Sequence, residues 1–333
     1  MTESLFARLL IFRSRGIGAI KYHELINDFG GPEGVVEALA VSGDLIDSVR
    51  REIENADLLG ITYITDDMPE FPAHYNALRG HSPILSVRGN VNALSKKMVG
   101  IVGTRHASAA GIKFTAELAK EFAAKGFAVV SGMAMGTDTA AHQGALCAGV
   151  TIAVLAGGAD YIWPLENERL YYEIIERGAI VSDMPVGFVP VANNFIARNR
   201  VVVGLSEQLI LGEADAKSGS VATAKMALEA GRTLWAVPSH PSDERSEGPN
   251  RFIKDGRARL IGSISDFWGV ESERSAPIKK TESEILDFIG TEPVSVSVLT
   301  SLAKKNVQEI GAELIRLELL GLIKKTAGGY VRV

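Results

Sequence analysis

Between residues 98 and 237 the chain alternates short, continuous apolar runs with longer amphipathic segments. Met98–Val102, Phe127–Val130, Thr151–Leu155, Ala179–Val181, Gln208–Leu211 and Thr233–Val237 are rich in Val, Ile, Leu and Ala. Runs of this length predict strands buried on both faces. Gly111–Lys125, Asp138–Ala148, Asn167–Arg177 and Ser220–Ala230 carry helical spacing between them. Gly126, Gly149, Gly178 and Gly231 follow those segments directly, where a left-handed C-cap is expected. Strand and helix in alternation predict a doubly wound, parallel α/β sheet.

The flanks read differently. Apolar spacing through Leu5, Leu9 and Leu10, then Leu25, Ile26 and Phe29, predicts helices joined at Gly16-Ile17-Gly18. That arrangement is compatible with a helix–hairpin–helix holding DNA phosphate and equally with a small packing module. Residues 271–280, polar and containing Pro277, read as a linker. Thr281-Glu282-Ser283-Glu284 has the form of a capping box ahead of Ile285, Leu286 and Ile289. Helices over Val298–Lys304 and Val307–Leu320 and a hairpin through Tyr330 complete a winged-helix pattern. Its third helix is mixed in charge (Glu309, Glu313, Arg316, Glu318), so duplex DNA and protein are both open as its partner. The expected organisation is a helical module over 1–65, the sheet domain over 66–270, the linker, and a winged helix over 281–333.

Composition narrows the function classes. A chain of 333 residues suits about two domains of ordinary size. A net charge of −5 excludes a globally basic nucleic-acid coat. The charge is uneven, however. Residues 1–95 carry 8 basic and 13 acidic side chains, whereas residues 96–270 carry 18 of each, leaving room for a local basic site. A single cysteine, Cys147, between Leu146 and Ala148, is expected to be a packed thiol and forms no internal disulfide. No apolar stretch, Val150–Ala156 included, approaches the ~20 residues of a membrane helix. A cytoplasmic protein with no membrane partner is expected.

Ligands of open parallel sheets bind beyond the carboxyl ends of the strands. Here those ends read Gly103-Thr104-Arg105-His106, Ser131-Gly132, Gly157-Gly158, Ser182-Asp183, Glu213-Ala214 and Pro238-Ser239, with Gly136-Thr137 and Lys217-Ser218-Gly219-Ser220 in the next turns. Small residues with accessible N–H groups, hydroxyls and cations at helix starts suit an anion. A dinucleotide fingerprint and a Walker loop are both absent, which disfavours NAD and ATP hydrolysis. Phe195-Ile196-Ala197-Arg198-Asn199-Arg200 sets an aromatic ring beside two cations and an amide, a combination that stacks a base and holds adjacent phosphates. A second basic group (Arg245, Arg251, Lys254, Arg257, Arg259) surrounds Gly248-Pro249-Asn250 in a stretch expected to be loop-rich.

Catalytic groups are sparse. Asp138 and His142, four apart on a helix, read best as a capping carboxylate and a packed histidine. Glu166 and Glu168 open the helix after Pro164. No catalytic set, resident cofactor or metal-ligand cluster is expected.

With these segments in order, the chain resembles the DNA-processing protein A family (DprA, also called Smf). The resemblance runs through Val102-Gly103-Thr104-Arg105, Ser131 to Asp138, Ala141 to Leu146, Ile152 to Gly158 and Trp163 to Asn167. It continues through Arg198 to Ser206, Lys217 to Ala224, Ala236 to Pro238 and Gly248 to Asn250. It implies a Rossmann-like domain that binds single-stranded DNA, forms a homodimer and loads the recombinase RecA during natural transformation. It also implies that Arg105 holds a DNA phosphate, that Phe195 lies near a base, and that Arg198, Asn199 and Lys217 to Ser220 line the same pocket. Ile196-Ala197 stands where many relatives have proline, and Leu165 where some carry a basic residue. The alternative is a nucleoside-monophosphate hydrolase of related topology, although Gly136-Thr137-Asp138 lacks the Pro-Gly-Gly that precedes that motif.

Overall fold

In the computed structural model, residues 3–268, 285–290, 292–319, 322–326 and 328–332 are described. They fall into two compact units, divided after Gly269. The linker over 271–280 and the capping box over 281–284 lie outside the described residues.

The first unit is a nine-stranded sheet in the order β1-β2-β6-β5-β4-β3-β7-β8-β9. Its central strands are β3 (Met98–Val102), β4 (Ala128–Ser131), β5 (Val150–Val154), β6 (Ala179–Ser182), β7 (Gln208–Leu211) and β8 (Thr233–Ala236). All are parallel and lie within a residue or so of the apolar runs. Alternate side chains feed two cores. Val99, Ile101 and Val129 face one layer with Leu118 and Phe122, while Met98, Val102, Ala128 and Val130 face the other. Burial on both faces is why these strands read as unbroken apolar runs.

Three strands were not anticipated. β1 (Ile61–Thr65) and β2 (Ile84–Gly89) pair antiparallel, β2 runs antiparallel to β6, and β9 (Arg259–Leu260) extends the far edge. The expected boundary between residues 65 and 66 therefore falls at the end of a strand of this sheet. Before it come α1 (Glu3–Arg13), α2 (Ala19–Phe29), α3 (Pro32–Ala38) and α4 (Gly43–Leu58), and between β1 and β2 comes the short α5 (Ala73–Asn76). These helices pack Leu9, Leu10, Val49 and Ile53 into one cluster with Ile61, Tyr63 and Ile84 of the sheet.

The crossovers are α6 (Ala109–Ala124), α7 (Thr137–Leu146), α8 (Glu168–Arg177), α9 (Ala192–Leu205) and α10 (Gly219–Glu229), followed by α11 (Glu247–Lys254) and α12 (Ile264–Trp268). Serine caps start two of them: Ser108 Oγ accepts from Gly111 N (2.9 Å) and Ser218 Oγ from Val221 N (3.3 Å). Only two of the four post-helix glycines are left-handed, Gly126 (φ 87°) and Gly231 (φ 69°). Gly149 and Gly178 answer a different need, because a Cβ there would lie 2.8 Å from Ala123 O and 2.1 Å from Thr151 O. The stretch around Gly248-Pro249-Asn250 is a helix, α11, not a loop. Cys147 is exposed, since it caps the outer end of α7 and donates to Gln143 O (3.3 Å).

The second unit contains α13 (Val296–Ala303), α14 (Val307–Leu319) and a hairpin of β10 (Ile323–Thr326) and β11 (Gly329–Arg332). Ile285, Leu286, Ile289, Leu299, Ile310, Leu314, Leu317 and Ile323 form its core. Asn306 Oδ1 accepts from Glu309 N (2.9 Å) and Glu309 Oε2 from Asn306 N (3.3 Å), a reciprocal cap that starts α14. These elements make a winged helix.

Candidate nucleic-acid interface

β3 is the first parallel strand, and the chain builds outward from it on both sides: β4, β5 and β6 one way, β7, β8 and β9 the other. The sheet reverses direction of growth at β3 and β7, and the loops beyond their carboxyl ends diverge there. An open cavity of about 290 Å³ occupies this crevice, lined by Gly103, Thr104, Arg105 and His106 after β3, and Gly132, Ala134 and Asp138 after β4. Phe195, Ile196, Arg198 and Asn199 of α9 form another wall, and Ser218, Gly219 and Ser220 bring in the start of α10.

Each wall is held from behind. Gly103 has no room for a Cβ, which would sit 2.4 Å from Thr137 Oγ1, and Gly103 O accepts from Ser220 Oγ (2.6 Å). A Cβ on Gly136 would meet Thr104 O and Arg105 O at 2.5 Å, and its φ of 77° is one that glycine adopts readily. The loop 132–136 also holds Met133 at φ 64°. Asp138 Oδ2 accepts from Gly132 N (3.1 Å) and Ala134 N (3.3 Å), and Asn167 Nδ2 donates to Met133 O (2.8 Å). Glu213 Oε2 accepts from Ser108 N (2.7 Å), closing the start of α6 against the end of β7.

Arg105 is exposed, with its guanidinium 5.1 Å from the centroid of the Trp163 ring. That ring meets Phe195 at 4.4 Å between centroids and 59° between planes. Arg105 and Phe195 line the cavity, and the Trp163 indole packs between them and borders the small neighbouring crevice. Opposite stands the first turn of α10, whose leading N–H groups have no carbonyl within the helix and carry its partial positive charge. Asn199 Nδ2 donates to Thr223 Oγ1 (2.8 Å), which fixes the amide at the floor.

Arg198 lies deeper than expected. It is buried, donates through one nitrogen to both Gly132 O and Val154 O, and bonds Asn199 Oδ1 through Nε (3.1 Å). Burial lowers its pKa to about 10 even though Asp138 opposes the shift, and burial raises that of Asp138 against the pull of Arg198. The guanidinium therefore ties the ends of β4 and β5 to α9, and its remaining face looks into the cavity. His142 packs behind, fully buried, with Nδ1 2.7 Å from Thr151 Oγ1. Thr151 gives its own proton to Val129 O (2.7 Å), so His142 Nδ1 is the donor and Nε2 is left without a partner. Burial drives the His142 pKa down to about 3.

Of the strand-end residues singled out in the sequence, Gly103, Thr104, Arg105, Gly132, Phe195, Arg198, Asn199, Ser218, Gly219 and Ser220 meet in this cavity. Ser131 does not line it: it is fully buried and donates to Ile101 O (2.6 Å). Gly157 borders a small neighbouring crevice with Trp163, Phe195 and Arg198. Gly158 lies outside both, its N–H spent on Phe188 O (3.0 Å). Arg200 points elsewhere, because two residues along a helix is a rotation of about 200° from Arg198; it faces cavities lined by Tyr75 and Gly80. Lys217 is exposed just before Ser218 and does not line the wall. Sequence reasoning missed Trp163 as a site residue. An aromatic directly before Pro164, in the loop that follows Gly157-Gly158, was the available signal.

Comparison with known proteins finds matches along most of the chain. The family model of DNA recombination-mediator protein A matches residues 62–270, and that of the DprA winged helix domain matches residues 271–329. Protein Smf of Escherichia coli is 34% identical over 288 residues, covering 81% of this chain and 77% of that protein. DNA processing protein DprA of Bacillus subtilis is 36% identical over 218 residues, 65% of this chain and 73% of that one. Among solved structures, DprA from Streptococcus pneumoniae superposes with a TM-score of 0.65 at 27% identity over 80% of this chain and 93% of its own. DNA processing protein A from Helicobacter pylori, described for its unique single-stranded DNA binding mode, gives a TM-score of 0.57 at 32% identity over 62% of this chain and 94% of its own.

Proposed function

The chain belongs to the DNA recombination-mediator protein A family, and from that premise we propose that the cleft at the end of β3 binds single-stranded DNA. The reading rests on Arg105, Phe195 and the start of α10 meeting in one cavity, with the Trp163 ring packed between the cation and the phenyl ring. An unpaired base stacks on the open face of a half-buried aromatic ring, and its phosphate is met by a guanidinium and a helix N-terminus. A duplex keeps its bases stacked inside and gains only the phosphate contacts. The cavity therefore selects single strands. Gly103, Thr104, Gly132, Asn199 and Ser218 to Ser220 supply small or polar surface close to the backbone, with Gly157 beside Phe195 at the far end.

In its cellular role the protein covers incoming single strands, as a homodimer, and hands them to RecA during transformation or recombination. The site holds DNA rather than transforming it, because the buried Asp138, His142 and Arg198 are engaged in holding loops together.

Binding of the full chain to fluorescent oligo-dT and to its duplex counterpart, across a salt series, tests this. Arg105→Ala is expected to weaken single-strand binding and to reduce the slope of log affinity against log salt by about 0.7, the counterion release of one phosphate. Unchanged binding in that variant would place the DNA elsewhere, and hydrolysis of nucleoside monophosphates by the wild type would favour the enzyme alternative.

A further inference from the structure

Away from the cleft, three side chains converge where the N-terminal helices meet the sheet edge. His23 comes from α2, Asp66 directly follows β1, and His81 precedes β2. We propose that His23 Nδ1, Asp66 Oδ2 and His81 Nε2 form a transition-metal site of the zinc class that clasps α2 to the sheet.

The backbone has already assigned the protons. His81 Nδ1 lies 2.9 Å from Leu78 O and His23 Nε2 lies 3.2 Å from His81 O. A carbonyl only accepts, so both of those nitrogens carry the hydrogen, and in the neutral imidazole the opposite nitrogens, His81 Nε2 and His23 Nδ1, present bare lone pairs. Each points at Asp66 Oδ2 from 3.5 Å, and the three ligand atoms all lie within 4.8 Å of one another. With both rings neutral, three acceptors face one another. His81 Nε2 is buried without a hydrogen-bond partner, on a side chain only 8% exposed.

The spacing separates the two ways of relieving this repulsion. A proton shared between imidazole and carboxylate would draw the pair to roughly 2.7–2.9 Å. Ligands around a tetrahedral zinc ion, with bonds of about 2.0–2.1 Å, stand ~3.3 Å apart along each edge. The two imidazole–carboxylate distances of 3.5 Å lie close to the second geometry, and the third pair of ligand atoms lies within 4.8 Å. A ring N–H on a backbone carbonyl is also the outer-sphere arrangement that orients metal-bound histidine. Arg8 does not fill the place. Its Nη1 donates to Asp66 Oδ1 (3.1 Å) and its Nη2 to Asp67 Oδ2 (3.0 Å), which leaves Oδ2 of Asp66 to the histidines and one carboxylate charge uncompensated. Two imidazoles and a carboxylate favour zinc over magnesium, which prefers oxygen donors and retained water.

The full chain, freed of metal with a chelator, is titrated with zinc chloride and with magnesium chloride and followed by calorimetry and thermal unfolding. Cobalt(II) serves as a visible-absorption probe. Zinc is expected to bind at one ion per chain and raise the Tm, magnesium to do neither, and cobalt to give tetrahedral absorption bands. His23→Gln and His81→Gln are each expected to weaken zinc binding by at least the roughly ten- to hundredfold that follows loss of an outer-sphere partner, whereas His240→Gln, an exposed histidine elsewhere, leaves it unchanged. Absence of zinc binding, or zinc binding equal in wild type and His23→Gln, overturns the proposal. His23 is partly exposed, so that variant decides the matter even if His81→Gln fails to fold.

Discussion

Two guanidiniums reach the cleft from opposite environments. Arg105 stands in solvent over Trp163, whereas Arg198 is buried against Asp138 and two carbonyls. On the proposed function, removing Arg105 costs contacts to the bound strand; removing Arg198 takes the donor from Gly132 O and Val154 O and a nearby positive charge from the buried Asp138. Arg198→Ala is therefore expected to lower stability by about 1–3 kcal/mol for each buried acceptor left unpaired, measured by denaturant unfolding. Loss of DNA binding in that variant would say little about direct contact. His142 carries a second residue-scale consequence. Its pKa is about 3 in the fold against 6.5 for a free imidazole. Below pH 6.5 the unfolded chain takes up a proton that the folded one refuses, so this group withdraws stability as pH falls from 6.5 towards 3, by up to about 1.4 kcal/mol per pH unit. Asp138, with its raised pKa, acts in the opposite sense. The difference between wild type and His142→Gln, compared across that range by chemical denaturation, isolates the histidine: the variant is expected to show the flatter acid limb.

At the scale of elements, α7 is buried almost all round and lies so close to α6 that a Cβ on Gly144 would stand 2.1 Å from Ala116 O. Gly144→Ala must push apart the helices that support the loop 132–136. A loss of roughly 1–3 kcal/mol or more is expected from overpacking alone, read as a fall in Tm. The same closeness explains what the sequence disclosed. The six central strands were legible because burial on both faces leaves no polar alternation to blur them. β1 and β2 were not, since Ile61–Thr65 interrupts its pattern with exposed Thr62 and Ile84–Gly89 ends in Arg88 and Gly89. The Phe195–Arg200 segment was legible as chemistry but not as a helix, so its periodicity went unused. That is why Arg200, on the opposite side of α9 from Arg198, was grouped with residues it does not join. Trp163 and the His23–Asp66–His81 cluster were hidden for another reason: their partners lie far along the chain, and no local spacing marks them.

For the whole molecule, the described residues contain no helix long and apolar enough to cross a membrane. The cleft is built entirely within the first compact unit, and the winged helix has its own core. A chain ending at residue 277 is therefore expected to fold and to keep its preference for oligo-dT within a few-fold of wild type. Loss of that preference would move the principal DNA site to the winged helix. The basic hairpin residues Lys324 and Lys325 are the first to examine in that event.

The order in which β3 gains its neighbours also governs when the cleft comes into being. β4 is the next strand to be made and lies on one side of β3, but the other side waits for β7, and the remaining cavity lining waits for Ser218 to Ser220. On the ribosome, more than a hundred residues separate the first wall from the last. A nascent chain consequently carries Arg105 for a long stretch of synthesis without a cleft for it to line, and on the proposed function a single strand meets a completed site only after the sheet has closed around its own first parallel strand.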